Sequence, residues 1–341
     1  MKRAARHLGV SEVQAYVERN EKLRDALGIA PRATCEVRAL ARGEYHANYT
    51  FIHPETGAPL LVRINLGSQM HLENQIAYEA HALELLSACP RTPRVLFVDG
   101  SASFFDAGVL VEEYLPGRPL CYETDQREAA GILADIHSVV LPENHGLVAP
   151  EHPLADMVDE CAQMFFIYRE SALARPETLA RLDRFFEIAR ISVRNEVACP
   201  LRHIVNTELN SRNFLINHDA PGYLIDWEKP LAAAVEQDIA HFLVPTTTLW
   251  KTDTVLDRGA RRRFIETYCE AVDGRFDTGC VAAQVEPYLN ITCLRGITWC
   301  AMALVDYDAQ PAQTRDEYTY RKIKDYVSES FLAFVEREYF T

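Results

Sequence analysis

The stretch RHIVNTELNSRNFLIN (residues 202–217) carries Glu208, then Asn213 five residues later, and then a short apolar run. A second stretch, YLIDWEK (residues 223–229), places Asp226 after another apolar run. The apolar segments FLIN and YLID predict a short β-hairpin that ends at Asp226. Taken alone, Asp226 and Asn213 would be turn formers and Glu208 a solvated loop carboxylate. The two stretches together raise the question of whether these side chains share a task.

The predicted hairpin interrupts a region of helical patterns. Apolar residues recur at helical spacing over 125–140, 154–172, 176–195, 260–272, 284–307 and 315–338. The polar, Thr-rich run HFLVPTTTLWKTD (residues 241–253) fits either a pocket lining or an N-cap followed by a helix. The C-terminal part of the chain is therefore predicted to be mostly helical.

The N-terminal part has a different pattern. Residues 1–20 predict an amphipathic helix, and residues 34–65 predict three strands separated by turns. A helix is predicted over residues 71–89, followed by strands in PRVLFVDG (93–100) and AGVLVEEYL (107–115). The run PGRPL (116–120) then breaks the chain.

These patterns predict an α+β fold with two lobes. Residues 1–115 would form a small N-terminal lobe, with an antiparallel sheet, one main helix and the leading helix. Residues 116–341 would form a larger, mostly helical C-terminal lobe. A cleft between two such lobes is a common ligand site.

Composition excludes several classes of partner. The net charge of −14 disfavours nucleic acid and anionic membranes as partners; it either keeps the protein soluble or suits a cationic substrate. No apolar run approaches the ~20 residues needed to span a bilayer. The nine cysteines lack zinc-site spacing, which predicts free thiols in a reducing compartment and hence a cytoplasmic protein.

The spacing of the two opening stretches matches a known loop. Asn206, Glu208 and Asn213 stand at the offsets of the protein-kinase catalytic loop H-R-D-x-x-x-x-N, and Asp226 stands where the kinase DFG motif has Asp. The chain resembles the aminoglycoside phosphotransferase and choline kinase family, which has a protein-kinase-like fold. The family motifs H-G-D-x-H-x-x-N, I-D-W/F-x-x-A and D-L-A stand here as VNTELNSRNFLI, LIDWEKP and EQDIAHF.

The resemblance continues upstream and covers roughly residues 34–245. It implies that Gly43 and Asn48 lie in the nucleotide loop RGEYHANYTF and that Arg63 binds phosphate. It also implies that Glu79 pairs with Arg63 and that Glu113 belongs to the nucleotide-binding hinge LVEEYLPGRPL.

The implied activity is ATP-dependent phosphorylation of a small-molecule hydroxyl. Asn213 and Asp226 would hold Mg²⁺, which prefers oxygen ligands, and Glu208 would accept the hydroxyl proton. Asp238 would brace the catalytic loop. The acceptor would be similar to an aminoglycoside, choline or a sugar.

The aromatic side chains of the helical lobe suggest one further hypothesis about the chemistry of the acceptor. Trp250, Trp299 and Tyr307 could hold a cationic acceptor by cation–π attraction, or they could be core residues.

Two departures from the family motif leave an alternative open. Position 208 is Glu where the family has Asp, and position 206 is Asn where it has His. A glutamate is one methylene longer, and a misplacement of about 1 Å can lower a rate ~100-fold. The alternative is a nucleotide-binding pseudokinase that acts as a sensor or scaffold.

Overall fold

A computed structural model of the protein describes residues 8–43, 45–68, 70–194, 196, 201–311 and 315–340. The chain divides into two compact units. Unit 1 consists of Met1–Arg118, Leu141–Leu147 and Leu215–Pro230, and unit 2 of Pro119–Val140, Val148–Phe214 and Leu231–Thr341. The predicted functional division at residues 115/116 concerns nucleotide and acceptor binding, and it stays a prediction.

Unit 1 begins with two short helices, the first within the predicted range 1–20 and the second beyond it. They are α1 (Val10–Arg19) and α2 (Glu21–Leu27). Asn20 separates them, because its backbone ends α1 while its side-chain oxygen accepts a hydrogen bond from the backbone N–H of Leu23 at 3.1 Å. An asparagine at this N-cap position satisfies a free donor of the new helix and starts it in a new direction.

An antiparallel sheet forms the centre of unit 1. Its strands are β1 (Arg38–Arg42), β2 (His46–Ile52), β3 (Pro59–Asn65), β4 (Val95–Asp99) and β5 (Val109–Glu113), in the order β1-β2-β3-β5-β4. Helix α3 (Gln75–Leu85) packs against β3, β4 and β5. The strands predicted from alternating residues, and the helix predicted after them, are confirmed.

The register of the sheet decides which side chains face each other. Asn48 on β2 lies opposite Arg63 on β3, and Leu61 lies opposite Glu112 on β5. Because side chains alternate along a strand, Arg63 and Glu112 lie on the same face. The opposite face packs into an apolar core with α1 and α2, in which Val62 is fully buried.

Five further short strands lie outside this sheet in the described part of the chain. Three of them pair in the order β6-β8-β9, where β6 is Arg118–Pro119, β8 is Phe214–Ile216 and β9 is Tyr223–Leu224. In unit 2, β7 (His203–Val205) pairs with β10 (Leu231–Ala233). The predicted β8–β9 hairpin is confirmed, and Asp226 follows its second strand.

Helices make up most of unit 2. They are α4 (Gln126–His137), α5 (Pro153–Arg169), α6 (Pro176–Arg194), α7 (Val235–Leu243), α8 (Pro245–Lys251), α9 (Arg258–Val272), α10 (Val281–Asp308), α11 (Glu317–Tyr326) and α12 (Glu329–Tyr339). Helix α10 packs against α5, α6, α7, α8, α9, α11 and α12, so it forms the centre of the unit.

Helix α10 contains Glu286 and Arg295, so it is not an uninterrupted apolar run of the ~20 residues considered in the sequence. It has 28 residues and, by length and composition alone, is apolar enough for a membrane span. However, 67% of its most apolar stretch is buried inside the protein, as in the core helix of a soluble protein.

The helix predicted over 315–338 is corrected. It is two helices, α11 and α12, because the Ser328 side chain accepts a hydrogen bond from the backbone N–H of Phe331 and starts α12.

Candidate functional site

One set of candidate residues meets in unit 1 and is called here the Arg63 cluster: His46, Arg63, Glu79, Asp226 and Glu228. The Arg63 guanidinium forms an ion pair with Glu79 of α3 at 2.8 Å. A second nitrogen of the same guanidinium pairs with Asp226, and it lies 3.8 Å from Glu228. The predicted pairing of Arg63 with Glu79 is therefore present, and Asp226 joins it.

His46 connects the two acidic sides of the cluster. Its ring nitrogens lie 2.7 Å from a Glu228 oxygen and 3.4 Å from a Glu79 oxygen. Burial and the Arg63 charge lower the pKa of His46, but the contacts with Glu228 and Glu79 outweigh them and raise it to about 9. The imidazole is therefore protonated at neutral pH and adds a second positive charge to the cluster.

Most charged side chains of the cluster are buried, so the charge on each one affects the pKa of its neighbours. Arg63 is 4% exposed and Glu79 1% exposed, whereas the Asp226 side chain is 32% exposed. Burial would raise the pKa of Asp226, but the charges of Arg63 and then His46 outweigh it and hold the pKa below its ordinary value. Asp226 is thus kept ionised, as a metal ligand must be.

The second set of candidates lies in unit 2, in the segment called here loop 206–213. Asp238 of α7 is fully buried and accepts hydrogen bonds from the backbone N–H groups of Asn206 at 2.8 Å and Thr207 at 2.7 Å. The same carboxylate lies 3.2 Å from a ring nitrogen of His137. The predicted bracing of the loop by Asp238 is confirmed by these contacts.

The position of Glu208 within the loop is set by its backbone. Its N–H donates to the Asn206 side-chain oxygen at 3.0 Å, and its carbonyl accepts from the Asn213 side-chain nitrogen at 2.7 Å. Asn206 thus supports the loop through an Asx-type turn in place of the expected His. This second hydrogen bond uses the amide nitrogen of Asn213. The amide oxygen of Asn213, a hard ligand, is therefore the atom suited to Mg²⁺.

Thr207 has an unusual backbone conformation. It stands where the family motif has Gly, and its φ is 67°. A β-branched residue in this left-handed region is strained, whereas glycine adopts it freely. The loop thus keeps the glycine-like shape of the motif without the glycine.

Two neighbours of the loop were not predicted. The ring of His241 accepts a hydrogen bond from the backbone N–H of Leu209 at 3.0 Å. Arg295 of α10 pairs with Glu160 through two contacts, at 2.7 and 3.3 Å. Burial lowers the pKa of Arg295, but the charge of Glu160 outweighs burial and raises this pKa. The charge of Glu208 raises the pKa of Arg295 further, so Arg295 lies within electrostatic range of Glu208, the proposed base.

The remaining predicted nucleotide residues lie in unit 1. The Gly43 N–H donates to the carbonyl of His46 at 2.9 Å, and an added Cβ at Gly43 would meet only that carbonyl oxygen at 3.9 Å, so the fold itself does not require glycine there. The Asn48 side-chain oxygen is buried and has no hydrogen-bond partner among the described residues. Glu113 pairs with Arg94 at 2.6 Å. The roles of these residues in binding nucleotide stay predictions.

Sequence reasoning missed His46 and Glu228. Their ligand atoms and those of Asp226 lie within 4.8 Å of one another, a spacing that could hold a metal ion. Glu228 stands two residues after Asp226 in the sequence, so it could have been considered as a site residue. Nothing in the sequence indicated that strand β2 places His46 next to Glu228. The Arg63 guanidinium contacts the same three side chains, so it competes with a metal there.

Comparison with known proteins bears on the fold. In sequence, no protein-family model and no curated protein matches the chain. In structure, it is similar to an ethanolamine kinase of Plasmodium vivax (TM-score 0.63, 14% identity, 94% of this chain and 88% of that chain covered). It is also similar to a choline kinase of Cryptosporidium parvum (TM-score 0.62, 14% identity, 89% and 90% covered).

A third similar structure is a spectinomycin phosphotransferase in complex with ADP and spectinomycin (TM-score 0.61, 11% identity, 93% and 98% covered). The chain has the small-molecule kinase fold. The predicted protein-kinase-like fold is confirmed over nearly the whole length of the chain. This includes most of the last hundred residues, where the sequence resemblance was limited to helical character.

Proposed function

We propose that this protein is an ATP-dependent kinase that phosphorylates a hydroxyl group of a small molecule. The observation that carries the proposal is the buried ion pair of Arg63 with Glu79, joined on the same guanidinium by Asp226. Phosphoryl transfer depends mainly on positioned charge, and this arrangement holds a cation suited to nucleotide phosphates beside an ionised aspartate. The fold shared with ethanolamine and choline kinases supports the same assignment.

The donor chemistry also fits Mg²⁺ and a nucleotide. Asp226 and Asn213 would hold Mg²⁺, which would neutralise the phosphate charges when bound. Asn213 belongs to unit 2 and Asp226 to unit 1, so their pairing on one ion is part of the proposal. The unpartnered Asn48 oxygen would accept a hydrogen bond from a nucleotide hydroxyl or a metal-bound water.

Thermal unfolding with and without Mg-ATP tests nucleotide binding directly. At a nucleotide concentration of 100 Kd, binding to the folded state stabilises it by about 2.7 kcal/mol, so the melting temperature should rise. Asp226→Asn should remove the part of the rise that depends on Mg²⁺. The matched control is Asp219→Asn, because Asp219 is 93% exposed on the turn of the same hairpin. No shift with any nucleotide and either Mg²⁺ or Mn²⁺ would refute the proposal.

The second candidate is a nucleotide-binding protein without turnover. It is favoured by Glu at position 208 and by the strained Thr207 beside it. Screening a library of hydroxylated metabolites for ATP consumption, followed by mass spectrometry of the products, separates the two. A single phosphorylated product eliminates this second candidate.

A further inference from the structure

Three fully buried side chains of unit 2 form a hydrogen-bonded series behind loop 206–213, called here the Tyr268 network: Tyr268, His137 and Asp238. The Tyr268 hydroxyl on α9 lies 2.7 Å from Nδ1 of His137, the last residue of α4. Nε2 of the same imidazole lies 3.2 Å from the Asp238 carboxylate on α7. Because all three side chains are buried, they depend on one another for hydrogen bonds.

The partners of His137 decide which ring nitrogen carries the proton. The Asp238 carboxylate can only accept, so Nε2 carries the hydrogen and donates to it. In the neutral imidazole Nδ1 is then an acceptor, and the Tyr268 hydroxyl donates to it. Burial raises the pKa of Tyr268 well above its ordinary value, and the charges of Glu236 and Asp238 add to the rise, so the phenol keeps the proton that it donates.

The network fixes the orientation of the Asp238 carboxylate, which in turn holds the loop. One carboxylate oxygen accepts from the backbone N–H of Asn206 at 2.8 Å and the other from that of Thr207 at 2.7 Å. The Asn206 side-chain oxygen accepts from the N–H of Glu208 at 3.0 Å. Four consecutive hydrogen bonds therefore join the Tyr268 hydroxyl to the backbone of the proposed base.

His137 also holds the strand that leads into the loop. His203, the first residue of β7, has its Nδ1 2.6 Å from the carbonyl oxygen of His137. Burial lowers the pKa of His203 to about 4, so its ring is neutral at pH 7 and Nδ1 donates to that carbonyl. The end of α4 thus contacts the strand before the loop through its backbone, and it supports the loop itself through Asp238.

The loop needs this support because part of its backbone is strained. Thr207 has a φ of 67°, and a residue with a Cβ stays in this region only when the surrounding structure holds it there. The hydrogen bond from its N–H to Asp238 is one such contact. It persists only while the carboxylate keeps its orientation, which the His137 ring sets.

We propose that Tyr268 and His137 are positioning residues for phosphoryl transfer, because through Asp238 they hold the loop in the shape that directs Glu208 to the acceptor hydroxyl. This rests on the proposed function, since Glu208 is the base of that same reaction. A misplacement of about 1 Å can lower a rate ~100-fold. A weakened network should therefore lower kcat more than it raises the KM for nucleotide, because the Arg63 cluster is unchanged.

Hydrogen exchange of the backbone amides in residues 203–213 tests the support of the loop without any ligand, since exchange reports local opening. His137→Asn should exchange about tenfold faster or more, as expected when a hydrogen bond to a charged group is lost. His137→Gln should stay near wild type, because its amide nitrogen takes the place of Nε2. Tyr268→Phe keeps the volume of the side chain and should lie between the two.

Tyr168→Phe is the matched control. Tyr168 is also fully buried, and its hydroxyl also donates a hydrogen bond, but to the carbonyl of Leu173 outside the network. This variant loses one buried hydroxyl, as Tyr268→Phe does, so it corrects for a general loss of stability. Exchange in residues 203–213 should match wild type.

Turnover of Mg-ATP, with water as the probe acceptor, tests the effect on transfer. Tyr268→Phe and His137→Asn should lower kcat about tenfold or more, with a smaller rise in the KM for Mg-ATP. His137→Gln should recover most of the rate, and Tyr168→Phe should turn over as wild type does.

Each other outcome overturns the proposal. Exchange in Tyr268→Phe and His137→Asn no faster than in Tyr168→Phe would show that the network does not hold the loop. Faster exchange with an unchanged kcat, or an equal loss of kcat in Tyr168→Phe, would show that the network only stabilises the fold. Failure of the proposed kinase function is seen in the wild-type protein itself, as absence of nucleotide binding and of ATP turnover.

Discussion

The Arg63 cluster and loop 206–213 hold their carboxylates in different ways. In the cluster, Glu79 is fixed by charge, because its partners are Arg63 and the protonated His46. In the loop, the backbone is held by hydrogen bonds to Asp238 and His241, and Glu208 is only half-buried. A charge change in the cluster should therefore alter folding and binding together. The Glu208 carboxylate should be replaceable without loss of the fold.

Arg63→Met should have the largest effect on stability. It leaves the carboxylates of Glu79, Asp226 and Glu228 with only His46 to balance them. Breaking a buried ion pair by removing one partner lowers the free energy of unfolding by about 3–5 kcal/mol. Urea denaturation measures this loss, and Arg63→Lys should recover part of it because the charge is retained.

Arg184→Met is the matched control for the cluster. Arg184 also pairs with a glutamate, Glu336, but is 52% exposed. Exposed ion pairs contribute roughly 0–1 kcal/mol, so this variant should unfold close to wild type. If Arg63→Met were as stable as Arg184→Met, charge would not be what holds the cluster together.

Glu208→Gln should have the largest effect on turnover and almost none on folding. Loss of a general base lowers the rate of transfer by about 100-fold or more, because the attacking hydroxyl keeps its proton. Nucleotide affinity and the melting temperature should stay near wild type, since Glu208 acts on the acceptor. Glu208→Asp should keep partial activity, because it loses reach and keeps charge. Normal turnover by Glu208→Gln would show that Glu208 is not the base.

The fold and much of the candidate site could be predicted from sequence because the relevant signals are local. Strand alternation gave β2 and β3, and their register then placed Arg63 on the face that α3 covers. The spacing from Glu208 to Asn213 was likewise visible, since both lie in one loop. His46 was missed because its contacts depend on how strand β2 pairs with β3 and on Glu228, which is far away in the chain.

The errors in the helices have physical causes too. Helix α7 was missed because it has only 9 residues, fewer than the window of about 11–18 residues in which a helical period can be read. Helix α8 agrees with one of the two readings of the Thr-rich run, a cap followed by a helix, and it begins at Pro245, a residue that suits the first turn of a helix. Capping by Ser328 divided the helix predicted over 315–338, and capping by Asn20 starts helix α2, which was not predicted, because a single side-chain hydrogen bond decides such a boundary.

Glu112, which lies on the same face of the sheet as Arg63, makes the stability of the fold depend on pH. Burial raises the pKa of Glu112 from its ordinary 4.5 to about 8, although the Arg63 charge lowers it. Between these two values the folded protein keeps a proton that the unfolded chain releases, so Glu112 makes stability fall as pH rises from 4.5 through 8. Glu112→Gln removes this ionisation.

The melting temperature of Glu112→Gln should therefore match wild type near pH 5 and exceed it by about 3 °C or more at pH 8.5. Glu113→Gln is the control, because the neighbouring Glu113 is 29% exposed and pairs with Arg94. Its difference from wild type should not grow between those two pH values. A pH-independent difference for Glu112→Gln would mean that the carboxyl is ionised throughout.

The smallest expected effect concerns the backbone of the loop. Thr207 has a φ of 67°, a region that is strained by about 1–2 kcal/mol for a residue with a Cβ. Thr207→Ala and Thr207→Gly both remove the side-chain contacts beyond Cβ, but only glycine also removes the strain. Thr207→Gly should therefore be more stable than Thr207→Ala by about 1 kcal/mol, after the greater flexibility of glycine in the unfolded chain is included. Chemical denaturation of the two variants measures the difference. A Thr207→Ala variant that equals or exceeds Thr207→Gly in stability would mean that the loop relaxes to a negative φ, and that hydrogen bonds to Asp238 do not enforce its shape.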